Sequence, residues 1–180
     1  PNIVIHNGYD PEAFHPDEVS GSAVRRSLRV AHGAFLLGSI SRWNSQKDIP
    51  NLLRALRMTA EQGLRTQCLL IGRGLEDGNA ELADLIRRHG CEQLVVPLGS
   101  RSDVQGLARA IDLHLLSSSG GEAFPNVVAE TMLSGTPNVV TDVGDSALMV
   151  GNSGWVLPPQ NPEAMSHATR DAHLERTDVS

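Results

Sequence analysis

The sequence predicts an α/β protein: a Rossmann-like, doubly wound parallel sheet with helices on both faces. Three observations predict it. Short aliphatic runs alternate with helical apolar stripes along the whole chain, with no internal repeat. Loops rich in Ser, Gly and Asn follow the aliphatic runs, where such a sheet presents its ligand edge. The length, 180 residues, suits one domain with a real core.

Taken in order, residues 3–5 (Ile-Val-Ile) read as a strand ending in the turn signal Asn7-Gly8, and Pro11 and Pro16 then mark a loop. A modest helix is expected over 22–30 with Ser20 or Ser22 as its cap. Residues 35–40 form the next strand. Leu52, Leu53, Leu56 and Ala60 then mark a helical face, with Gly63 just past its end. A strand at 67–71 runs into Gly72-Arg73-Gly74. A dinucleotide fingerprint would need a third glycine where Asp77 stands, so the segment reads as a turn. Leu82, Leu85 and Ile86 stripe a helix ending near Gly90, and 94–98 is a strand. Asp103 is placed to cap a short helix reaching Ala110. Strands follow at 113–116, 139–141 and 154–157. A helix starts near Asn126 and is stopped by Gly135 and Pro137, and a helical turn opens at Gly144. Asn161 and Pro162 start a last helix whose polar pattern fades toward the end.

Composition narrows the function. The net charge of −6 argues against a nucleic-acid partner. No apolar run is long enough to span a bilayer, and no signal peptide is visible. Cys68 and Cys91 give no disulfide framework, and Cys68 lies in an apolar run, which fits a reducing compartment. The histidines show no metal-ligand spacing, and His114, inside a strand, reads as a core residue. Of fifteen basic residues the only lysine is Lys47. That is either genome composition or the use of a compact charge suited to a phosphate.

Residues 117–144 organise the chain: S-S-S-G-G-E-A-F-P-N-V-V-A-E-T-M-L-S-G-T-P-N-V-V-T-D-V-G. Strand, small-residue loop, helix and strand follow one another, a unit that sets backbone N–H groups and a helix N-terminus against an anion. Glu122 sits just outside the helix. Glu130 lies roughly 6 Å inside the start, at 1.5 Å of rise per residue. Two glutamates would also suit the acid and base of a glycoside hydrolase. The phosphate-binding features around them do not serve one.

E-x-F-P-x-x-x-x-E followed by x-x-x-x-G-x-P-x-V-x-T-D-V-G resembles the donor-site signature of the group 1, family 4 type glycosyltransferases, retaining enzymes of the GT-B fold. P-N-I-V-I-H-N-G-Y-D-P, S-R-W-N-x-Q-K-D and G-x-R-x-D-V resemble other segments of the same family, so the resemblance covers nearly the whole chain. It implies the C-terminal, nucleotide-sugar-binding half of a GT-B enzyme, residues 1–180, with the N-terminal acceptor domain missing. It implies that Arg42 and Lys47 grip the diphosphate, where composition alone would read them as two solvated basic residues. Glu122 takes the sugar hydroxyls and Glu130 the ribose diol. Phe124, Asn126 and Val127 form the loop and helix start at the phosphates. Gly72 lies near the nucleotide. Arg101 either contacts the ligand or pairs with Asp103. The family works without a metal or other cofactor. The implied partners are a nucleotide sugar and an acceptor glycan or lipid-linked sugar, in the cytoplasm, with any contact to the inner membrane face made through the missing domain. Ala123 and Asp145 stand where glycines are usual, which points to a subgroup of surface polysaccharide assembly. A GT-B epimerase or phosphorylase, or a nucleotide-binding module without catalysis, would share the diphosphate grip.

Overall fold

The computed structural model describes residues 7–178. The strand expected at 3–5 lies outside them. Thirteen elements alternate: α1 (Glu18–Ser27), β1 (Phe35–Ile40), α2 (Ile49–Glu61), β2 (Thr66–Ile71), α3 (Ala80–Arg88), β3 (Val95–Gly99), α4 (Val104–Ala110), β4 (Leu113–Leu116), α5 (Asn126–Leu133), β5 (Asn138–Thr141), α6 (Ser146–Val150), β6 (Gly154–Leu157) and α7 (Pro162–Asp178). The six strands form one sheet in the order β3-β2-β1-β4-β5-β6, and every pairing is parallel.

Successive strand residues point to opposite faces, so strands covered on both sides must be apolar throughout. Phe35 and Leu37 of β1 pack with Leu52, Leu53 and Leu56 of α2, Leu82 of α3 and Met165 and Ala168 of α7. Leu36, between them in sequence, packs on the other face with Leu107 and Ala110 of α4. Further along that face, Val128 of α5 and Val150 of α6 join Leu116 and Val140. The doubly wound arrangement expected from the aliphatic runs is what the chain adopts.

Three local expectations change. The first helix starts at Glu18 rather than 22, because the Asp17 carboxylate accepts from the Ser20 N–H and takes the capping role. Asp103 occupies the N-cap of α4 but caps nothing, since the Arg101 guanidinium holds both its oxygens at 2.8 and 2.7 Å. The last helix begins as expected, with Asn161 Oδ1 accepting from Ala164 N at 2.9 Å, and runs to Asp178. Its polar residues disguise a buried face. Ser166 meets Thr59 of α2 at 3.0 Å, and the Thr169 hydroxyl donates to the Met165 carbonyl.

The strand order locates the site. From the central pair β1–β4, the chain winds outward to β2 and β3 on one side and to β5 and β6 on the other. The loops leaving β1 and β4 therefore diverge and open a crevice at their carboxyl ends.

Candidate functional site

Residues 41–48 after β1 and 117–125 after β4 form the walls of this crevice and are bonded to each other. The Ser117 hydroxyl donates to the Lys47 carbonyl at 2.6 Å, and Ser119 N–H donates to the Gln46 carbonyl at 2.8 Å. The β4 loop is also held from β5. The Thr141 hydroxyl donates to the Ser118 carbonyl, and Asp145 N–H donates to the Ala123 carbonyl at 2.8 Å. Gly144 makes that closeness possible: a Cβ there would lie 2.0 Å from the Glu122 carbonyl oxygen, and its φ of +58° suits glycine. The two positions where the sequence departs from glycine, Ala123 and Asp145, are thus joined through their backbones.

Lys47 and Glu122, 75 residues apart, form an ion pair across the crevice, and the Ser118 hydroxyl donates to the same Glu122 oxygen. The two side chains are 17% and 7% exposed, so the pair is mostly removed from water. Arg42, on the same loop as Lys47, is exposed and has no side-chain partner among the described residues.

α5 starts at Asn126 with Pro125 at its N-cap and no side chain capping it. The N–H groups of Asn126 and Val127 have no acceptor among the described residues, while that of Val128 donates to the Pro125 carbonyl, and the positive end of the helix dipole lies behind them. Glu130, one turn further along, is half-buried and its carboxylate accepts no hydrogen bond among the described residues. Burial pushes its pKa up from the ordinary value. A carboxylate partly withdrawn from water and left unbonded is ready to accept donors from a ligand.

The other expected residues fall around this centre. Gly72 follows β2 with φ +134°, and a Cβ there would lie 1.9 Å from the Ser41 carbonyl oxygen, so it lets the β2 loop approach the β1 loop. Arg101, exposed at the end of β3, takes the pairing alternative through its two bonds to Asp103, which raise its pKa. Val127 packs its side chain on the Leu116 and Val140 cluster, leaving its N–H as what it can offer. Phe124 is half-buried in the loop. Sequence reasoning missed Ser118, Gln46 and Tyr9. The serine run 117–119 was the one available signal. Nothing in the sequence pairs Tyr9 with Asn126.

A groove of about 1010 Å³ lies at the opposite edge of the sheet, lined by Pro16, Asp112, Pro137, Asn152, Trp155 and Arg176. The carboxylate at its floor is already paired. The Asp112 carboxylate accepts from Leu36 N–H, Arg25 and Arg176 at 2.7–3.0 Å. Size alone does not mark the site here. No group of three or more His, Cys, Asp or Glu able to hold a metal ion occurs among the described residues, and no helix among them is long and apolar enough to cross a membrane.

A six-stranded parallel sheet with helices on both faces, with an uncapped helix start and two carboxylates at its switch point, is a Rossmann-like α/β domain. The family profile described as "Glycosyl transferases group 1" matches residues 34–173, and the chain belongs to that family. It is 30% identical over 170 residues to an uncharacterised glycosyltransferase of Methanocaldococcus jannaschii, covering 91% of this chain and 42% of that protein. It is 25% identical to the lipopolysaccharide core biosynthesis mannosyltransferase LpsB of Rhizobium meliloti, covering 93% and 49%. Among solved structures, it resembles HepE of Anabaena in complex with UDP and glucose, with a TM-score of 0.87, 28% identity, and 97% and 48% coverage. The chain spans less than half the length of these proteins. It shares the fold of the C-terminal domain of the group 1 glycosyltransferase LpcC of Francisella tularensis, at TM-score 0.68 and 16% identity over 96% of this chain and 89% of that one.

Proposed function

We propose that this chain is the donor-binding half of a retaining glycosyltransferase that moves a sugar from a nucleoside diphosphate to an acceptor glycan or lipid-linked sugar in surface polysaccharide assembly. The observation that carries the reading is the division of charge at the switch point. A cation and an unbonded carboxylate face one crevice, with an uncapped helix start between them. The likeness to HepE, solved with UDP-glucose, and to the mannosyltransferase LpsB supports the ligand class.

In this reading the diphosphate docks on the α5 N–H groups, Lys47 and Arg42, and the ribose diol donates to Glu130. Glu122 accepts from the sugar hydroxyls. Binding exchanges one ion pair for two ligand contacts: Lys47 turns to phosphate and Glu122 to sugar. Fixed positive charge around the leaving diphosphate is then the main catalytic contribution of this half, because it stabilises charge that grows in the transition state. Lys47, Arg42 and the helix start meet the diphosphate charge, so the reading calls for no metal. The acceptor site belongs to a further domain, and the two buried free thiols suit a cytoplasmic setting.

Calorimetric titration with UDP, GDP, ADP and their nucleosides tests this. One nucleoside diphosphate is expected to bind at least tenfold tighter than its nucleoside, with a further gain when a sugar is attached. Equal affinity for nucleoside and diphosphate, or no binding of any, overturns the reading.

A further inference from the structure

The loop that leads into α1 reaches the start of α5. Asn7 Nδ2 donates to Asn126 Oδ1 at 2.9 Å, and the Tyr9 hydroxyl donates to the same oxygen at 3.0 Å. An amide side chain has an acceptor end and a donor end, and a helix start that receives an anion is compatible with only one of them facing the ligand. With its oxygen holding two donors, the Asn126 amide is fixed in one orientation and turns its NH2 group away from that loop. We propose that Asn7 and Tyr9 are positioning residues that orient the Asn126 amide, so that it adds a side-chain N–H donor to the backbone N–H groups of α5 at the diphosphate. The inference rests on the donor-binding reading above and deepens it.

Three further observations agree. Asn126 and Glu130 are four residues apart on one helix, hence on the same face one turn from each other. Tyr9 senses both. It bonds Asn126, and its phenol is pushed up first by burial and then by the charge of Glu130. The half-buried Tyr9 ring therefore lies beside the face of α5 that carries the two ligand groups. Asn126 also has no capping duty that would otherwise explain its side-chain contacts, because Pro125 holds the N-cap.

A double-mutant cycle on the full chain tests the proposal. Tyr9→Phe keeps the ring and removes only the donor. It is expected to weaken the tightest-binding nucleoside diphosphate about three- to tenfold while leaving its nucleoside unchanged. Asn126→Ala is expected to cause a similar or larger loss, and Tyr9→Phe added to Asn126→Ala is expected to cause no further one. Asn126→Asp keeps an acceptor for Asn7 and Tyr9 but sets a carboxylate against the diphosphate, and should bind it more weakly than Asn126→Ala does. Thermal midpoints within a few degrees of the parent identify folded variants, and Tyr9→Leu serves if Tyr9→Phe does not fold. Additive losses, or equal losses for nucleoside and diphosphate, overturn the positioning role while leaving the donor-binding reading intact. No diphosphate binding by the parent chain overturns both.

Discussion

The two edges of the sheet use charge in opposite ways. At the amino edge, Asp112 is 8% exposed and satisfied by a backbone N–H and two guanidiniums, while Arg109 donates to the carbonyls of Ala13 and His15. Those groups tie α1, α7 and the leading loop to the strands. At the carboxyl edge, Arg42 and the Glu130 carboxylate have no partner among the described residues, and Lys47 and Glu122 have chiefly each other. The amino edge has a groove of about 1010 Å³ and the carboxyl edge the unsatisfied chemistry. Groups already bonded stabilise the fold, and groups left open or exchangeable are available to a ligand.

Substitutions can separate these two kinds of work. The largest expected effect is at the amino edge. Asp112→Ala leaves the buried Leu36 N–H without its acceptor and removes the carboxylate that Arg25 and Arg176 share, and should destabilise the fold by about 3 kcal/mol. The midpoint of urea unfolding should fall, while affinity for a nucleoside diphosphate stays within a factor of two.

Acid should act on a third region, the sheet interior. His114 is fully buried, with Asn138 Oδ1 at 2.7 Å from its Nδ1, and burial pushes its pKa down to about 4. In the unfolded chain it titrates near 6.5. The unfolded state therefore binds the extra proton first. Stability is fully present above about pH 6.5 and is lost as pH falls toward 4, by up to about 3 kcal/mol. Urea unfolding from pH 7 to 4.5 should show this slope. In His114→Gln the part of the slope due to this residue should vanish, even though the variant is less stable overall than the parent.

At the carboxyl edge the effects move to binding. Lys47→Ala should weaken nucleoside diphosphate binding about ten- to a hundredfold, as one or two lost charge-assisted bonds would. Nucleoside binding should be spared. Glu130→Ala should lose about tenfold, and that loss should shrink with a 2′,3′-dideoxy ligand, which has no diol to donate. Arg101→Ala, which removes an exposed pair, should change stability by less than about 0.5 kcal/mol.

How much of this was legible depended on range along the chain. The strands Phe35–Ile40 and Leu113–Leu116 match the sequence expectation residue for residue, because a strand buried on both faces writes itself as an aliphatic run, and the half-buried edge strand Gly154–Leu157 matches as well. Glu122, Lys47 and the α5 start were also legible, since each lies on a strand-to-helix loop. Their pairing was not. Lys47 meets Glu122 across 75 residues, Tyr9 meets Asn126 across 117, and no spacing rule encodes either contact. The register of the first helix was lost to a competition between near-equivalent caps, Asp17 against Ser20 and Ser22, which only the fold resolves. The last helix hid its face because, Met165 apart, its buried residues are small or hydroxylated, and the Thr169 hydroxyl bonds the helix's own backbone.

The contrast between the edges is tested most directly by following backbone amide shifts during titration with the nucleoside diphosphate that binds tightest. The account predicts that the perturbed amides cluster at 41–48, 72–74 and 117–130, at the carboxyl ends of β1, β2 and β4. It predicts that residues 109–112, 152–155 and 172–176, around the amino-edge groove, stay unchanged. Perturbations centred on that groove, with the carboxyl edge silent, would contradict it.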